Sequence, residues 1–148
     1  MLRYFVHRVG NILRWGKKIY YQALGIRIGR RTMISLGAKL DIRRGTITIG
    51  EDCLITYGCL ILSHDSAARM LDHEDDGAGF VQIGDNVFLG AYSVVLRNVR
   101  IGSNTVVGAG SIVTKDIPDG VVACGNPARV VKRLPLPYPR LSSKDHLA

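Results

Sequence analysis

An aliphatic residue recurs every sixth position along most of this chain. The series runs Ile28, Ile34 and Leu40, skips three residues, then continues with Ile49, Ile55 and Ile61. It stops there and resumes as Ile83, Leu89, Val95, Ile101, Val107 and Val113. The second place of each unit is often glycine, as at Gly29, Gly50, Gly84, Gly90, Gly102 and Gly108. The fifth is usually small or β-branched, as at Thr32, Ala38, Cys53, Cys59, Ser93, Val99, Thr105 and Ser111. A helix needs a period near 3.6 and a plain strand a period of 2, so neither explains a period of six. A short strand ending in a corner does: the aliphatic points inward, glycine permits the corner, and the small residue fits where walls converge.

Three units close one triangular coil. The series therefore predicts a parallel β-solenoid of about four coils, starting at residues 28, 49, 83 and 101, around one aliphatic column. The two irregularities, near 46–48 and over a charged loop at 66–82, fall between coils, where extra chain leaves at corners. The β-solenoid domain is expected over 28–117, followed by a C-terminal segment at 118–134. Residues 135–148 hold LPLPYPRLSSKDHLA without the leading leucine, and the clustered prolines predict an extended or disordered tail.

The segment IGDNVFLGAYSVVLRNVRIGSNTVVGAGSIVTKDIP followed by GNPARVVK resembles the hexapeptide-repeat acyltransferases, in the branch of galactoside, maltose and polysaccharide O-acetyltransferases. The resemblance covers roughly residues 28–133. It implies an all-β, left-handed parallel β-helix with acetyl-CoA as acyl donor and no metal. It also implies a homotrimer whose active sites lie between subunits. In that branch a catalytic histidine opens a loop between coils, and the matching position is His64. An aliphatic wall cannot do proton chemistry, so a break in the repeat is where an ionisable group belongs. Histidine suits a general base because its ordinary pKa lies near neutrality. Asp65, the second candidate catalytic residue, follows it at the fifth place of its unit, where a carboxylate needs a partner.

The resemblance also carries acetyl-CoA contacts to Ala91, Ala109, Thr114, Lys115, Arg129 and Lys132. Small side chains let pantetheine lie along the wall, and cations suit its phosphates. His73 and Asp72, inside the acidic stretch MLDHEDDG, are candidate acceptor contacts; a solvated loop is the plainer reading of them. The expected activity is acetyl transfer to a sugar hydroxyl of a polysaccharide or its precursor. Transfer to an amino sugar on a nucleotide carrier is a near variant. A non-catalytic scaffold and a metal-dependent carbonic anhydrase on the same solenoid are alternatives. The second needs three histidines about a metal, and the repeat region holds only His64 and His73.

Composition narrows the setting. The net charge is +8, and residues 1–31 carry eight cations and no acid, so the N-terminus holds the excess. Residues 1–27 form an N-terminal unit, with a basic amphipathic helix over 2–24. Two roles are open to it: a cap over the exposed first coil, the preferred reading, or contact with an anionic membrane surface. No nucleic-acid-binding motif accompanies the charge. Three cysteines without a CxxC pair give neither a disulfide framework nor a zinc site. No apolar run spans a bilayer and no leader pattern opens the chain, so the expected location is cytoplasmic or peripheral at the inner membrane face.

Overall fold

The computed structural model describes residues 2–41, 43–135 and 137, with the helix side chains from residue 8 onward. A helix, α1 (Leu2–Ala23), precedes the first coil, β1 (Arg27–Ile28), β2 (Met33–Ile34) and β3 (Lys39–Leu40). The second coil is β4 (Thr46–Ile49), β5 (Leu54–Ile55) and β6 (Leu60–Ile61), followed by the one-turn α2 (Ala68–Leu71). The third is β7 (Phe80–Ile83), β8 (Phe88–Leu89) and β9 (Val94–Val95). The fourth is β10 (Val99–Ile101), β11 (Val106–Val107) and β12 (Ile112–Val113). A hairpin of β13 (Val121–Gly125) and β14 (Ala128–Arg133) ends the described chain.

Three faces result. Face one stacks β1-β4-β7-β10, face two β2-β5-β8-β11-β13-β14, and face three β3-β6-β9-β12. Neighbours pair in parallel except β13 with β14. The molecule is a left-handed parallel β-helix of triangular section. The register is the one that the six-residue series demands: Ile28 opposes Ile49, Ile49 opposes Ile83, and Ile83 opposes Ile101. The columns through Ile34 and Leu40 run likewise, and their aliphatics are buried. Each contributes about 1.5–3 kcal/mol on leaving water. Ile117 bridges to Ile101 and Ala123 pairs with Val107, so part of a fifth coil closes the far end.

Three local expectations change. The corners take their left-handed backbone at the fourth place, as at Asp52, Asn86, Tyr92 and Asn104, with φ of 55°, 54°, 59° and 55°. Glycine at the second place serves close stacking instead. A Cβ on Gly29 would lie 2.5 Å from the backbone of Gly50. Residues 46–48 are not an excursion; they lie in β4 and pair with β7. Phe80–Gln82, expected in the loop, likewise begin β7, so the excursion ends at Gly79.

Helix α1 covers the open first coil. Its Lys17 ammonium donates to the carbonyls of Ser35 (3.0 Å), Leu36 (2.6 Å) and Ala38. Lys18 donates to the Gly29 carbonyl at 2.6 Å, and Gln22 to that of Ile28 at 3.0 Å. Of these acceptors the Ile28 and Ala38 carbonyls are ladder groups, since their counterparts Ile49 and Cys59 accept N–H bonds from the coil before. Tyr21 is buried, and its hydroxyl accepts the Leu40 N–H at 3.2 Å. The cap reading therefore accounts for the inward side of α1. Outward it exposes Ile12, Leu13, Trp15 and Tyr20. No described helix is long and apolar enough to cross a membrane. The tail expected at 135–148 lies outside the described residues, apart from 135 and 137.

Candidate active site

The charged loop leaves the solenoid through a narrow neck. Ser63 is buried, donates its hydroxyl to the Arg44 carbonyl at 2.7 Å, and accepts the Gly79 N–H at 2.8 Å. His64 forms an antiparallel bridge with Ala78, and the Asp65 N–H donates to the Gly77 carbonyl at 2.9 Å. This short antiparallel clasp sets His64 at the edge between faces three and one. Gly77 is required in the clasp, since its φ is +82° and a Cβ would meet the Asp65 carbonyl oxygen at 2.3 Å.

Asp65 does not take the inward fifth place. Val81 holds that slot, between Ile47 and Val99 in the stack. The physical reason is the loop itself: once the chain has left after Ser63, the inward position is refilled by the strand that returns. The Asp65 carboxylate is exposed and accepts the Ala67 N–H at 2.9 Å, so it shapes the first turn of the loop.

His64 lies in a pocket of about 330 Å³ lined by Arg43, Arg44, His64, Ser66, Arg69 and Asp76. Its Nδ1 is buried and has no hydrogen-bond partner among the described residues. His73 and Asp72 do not line this pocket; both are exposed, and Asp72 accepts the Glu74 N–H at 3.0 Å.

The loop is held by a residue that the repeat did not reveal. Arg97, on the corner after β9, forks onto Asp75 with Nη1–Oδ1 at 2.9 Å and Nη2–Oδ2 at 2.5 Å. Arg97 also reaches the carbonyl of Ala78, His64's bridge partner, at 3.4 Å. The guanidinium, with help from the Gly77 N–H, holds the Asp75 carboxyl below its ordinary range. Arg43, Arg44 and Arg69 were likewise not singled out. A usable signal existed: both breaks in the series follow the third unit of a coil, so their residues must share one edge.

The proposed acyl-donor residues divide between edges. Ala91 and Ala109 stack on neighbouring coils at the edge between faces two and three, where the Gly110 N–H donates to the Ala91 carbonyl at 2.8 Å. The Ala91 N–H has no acceptor among the described residues. Thr114 and Lys115 follow β12 and share the edge of His64. Arg129 and Lys132 are exposed on β14, at the end of face two. Thus one chain sets its imidazole and its unpartnered Ala91 amide on opposite sides of face three. Among the described residues no cluster of His, Cys, Asp and Glu could hold a metal ion.

Residues 80–115 match the family model described as bacterial transferase hexapeptide (six repeats). A Dictyostelium discoideum protein with an acetyltransferase designation is 35% identical over 134 residues, 82% of this chain and 68% of that protein. The polysialic acid O-acetyltransferase of Escherichia coli O1:K1 / APEC is 36% identical over 109 residues, 72% of this chain and 36% of that enzyme. Among solved structures, a hexapeptide-repeat acetyltransferase from Vibrio cholerae O1 biovar eltor, complexed with acetyl coenzyme A, superposes with a TM-score of 0.66 at 30% identity. That match covers 74% of this chain and 61% of the other. The chain spans between about a third and two thirds of the length of the first curated relatives it matches.

Proposed function

Because the chain belongs to the bacterial hexapeptide-repeat transferases, we propose that it transfers an acetyl group from acetyl-CoA to a sugar hydroxyl, with His64 as the general base. The observation that carries this reading is the place of His64 in the lining of a pocket at the one long break in the described solenoid. The polysialic acid enzyme among the relatives supports a sugar hydroxyl as acceptor, and the Vibrio neighbour supports acetyl-CoA as donor.

The residues fit that donor. An unpartnered N–H at Ala91 suits a thioester carbonyl oxygen, and the small side chains of Ala91 and Ala109 leave the wall clear for a pantetheine arm. The exposed cations of Lys115, Arg129 and Lys132 suit its phosphates. His64 takes the hydroxyl proton as the sugar oxygen bonds to the acetyl carbon; the carbon–sulfur bond then breaks, and the proton passes to the departing thiolate. No covalent acyl-enzyme is needed. Cys53 is buried with its thiol pushed up to about 11, mainly by desolvation, so it is a poor nucleophile at neutral pH.

Since His64 and Ala91 lie across face three from each other, the reading includes a homotrimer. In it the edge carrying His64, Thr114 and Lys115 of one copy meets the edge carrying Ala91 and Ala109 of the next. His64→Ala should lower kcat by ~10²–10⁴-fold in a CoA-release assay with sugar acceptors, with the melting curve unchanged. A wild-type rate in that variant would remove His64 from the mechanism.

A further inference from the structure

We infer that the acceptor is an anionic sugar, whose carboxylate or phosphate is gripped by Arg44 and Arg69 beside His64. The inference rests on the reading of His64 as the base, and adds the charge and class of what it deprotonates.

The pocket's lining is unusually basic for its size. Arg43, Arg44 and Arg69 stand against one acid, Asp76, in about 330 Å³, near the lower end of the range for ligand clefts. The cations arrive from two separate parts of the chain. Arg43 and Arg44 sit on the turn between the first two coils, and Arg69 on α2 within the loop. Their convergence is not a consequence of sequence adjacency, as a solvated run of charge would be.

Their existing partners do not consume them. Arg43 is engaged through Nε with Asp41 Oδ1 at 3.1 Å, so it is the least available. Among the described residues the Arg44 guanidinium reaches only the Asp76 carbonyl, through Nη1 at the long distance of 3.4 Å. Arg69 has no hydrogen bond or ion pair among the described residues. The Asp76 carboxylate is itself occupied by the Ala78 N–H at 2.9 Å. Two guanidiniums with spare donors in a cleft make a fork for a planar carboxylate or a phosphate oxygen pair. A neutral sugar would leave those donors with water alone. Lys17 and Lys18 of α1 take no part: both are spent on carbonyls of the first coil.

Seated on that fork, an anionic sugar places a hydroxyl toward the imidazole. Charge on the acceptor then sets binding, and His64 sets turnover. The CoA phosphates are the rival occupant of the same cations, so acceptor and donor must be read separately.

The test uses the full chain and four probes: N-acetylneuraminate, glucuronate, glucose 1-phosphate and glucose. Binding is measured by calorimetry on the CoA-loaded protein, and turnover by CoA release. At least one anionic probe should bind ten-fold or more tightly than glucose, with the advantage shrinking as salt rises. Preference among the first three tells carboxylate from phosphate. Arg44→Gln and Arg69→Gln should each weaken that probe about ten-fold and leave the KM for acetyl-CoA unchanged. Equal binding of glucose, or variants that move only the acetyl-CoA KM, would overturn the inference. Charge-selective binding that both variants weaken, without CoA release from any probe, would uphold the anion site and count against acetyl transfer to these sugars. Either variant is interpretable only with an unaltered melting curve, and having two at separate sites guards against one failing to fold.

Discussion

At Gly50 a Cβ would lie 2.2 Å from the Asp85 carboxylate and 2.6 Å from the Gly84 carbonyl oxygen. Both atoms belong to the next coil, and the Asp85 oxygen already accepts the Glu51 N–H at 2.7 Å. The coil spacing is set by backbone hydrogen bonds, so it cannot widen at one residue. Gly50→Ala should therefore destabilise the protein by about 1–3 kcal/mol through overpacking, read from denaturant unfolding. A Cβ at Gly110 meets nothing within 4 Å, and there the φ of +68° is the constraint instead. A melting midpoint unchanged in Gly50→Ala would refute the stacking role. The inward small residues follow the same economy of space: the Cys59 Sγ lies 3.2 Å from the Gly90 carbonyl and 3.4 Å from the Ser93 hydroxyl, which leaves no room for a larger side chain.

At the scale of the element, the loop from His64 to Gly79 is the one long excursion in the described solenoid, and it owes its shape to a few polar bonds. The Arg97–Asp75 fork is the strongest of them, as a charge-assisted pair with two parallel bonds. Arg97→Ala should release the clasp around His64 and lower kcat by about 10–100-fold, with a small change in melting midpoint because no core residue moves. Unaltered kcat in that variant would deny the fork a positioning role. The pH dependence follows from Asp75. Its folded pKa lies below the ordinary carboxylate value, so its contribution is complete above about pH 4 and is lost as pH falls through the folded value. Protection of the loop against proteolysis should fade on that acid side in the wild type, and Asp75→Asn should remove this step.

For the whole molecule, the consequence of the triangular section is that residues separated along the chain share an edge, while residues close in sequence occupy different ones. His64, Thr114 and Lys115 fall on one edge, Ala91 and Ala109 on another. In the proposed function, a site made from both edges draws on two copies. Co-refolding His64→Ala chains with Ala109→Trp chains should therefore restore activity that neither variant has alone, because some interfaces pair an intact histidine edge with an intact alanine edge. Failure of the mixture to exceed its components, when both variants assemble, would place the site within one chain. The N-terminal helix acts on the same scale: it ends the column at the first coil as the partial fifth coil ends it at the other.

The residues alone determined the four full coils, the stacking register and the inward columns, because every sixth residue must turn inward on a new face. They also marked His64, since a break in so regular a series has to leave the wall somewhere. What they did not determine is what the break is built from. Asp65 pointed inward on the count of six, yet Val81 fills that slot, because register resumes from the strand that returns. Arg44, Arg69 and Arg97 are far apart along the chain, and no period connects them to His64. Only the folding of successive coils onto shared edges brings those cations around one imidazole, since hydrogen-bonded stacking sets neighbours by coil and corner and disregards distance along the sequence.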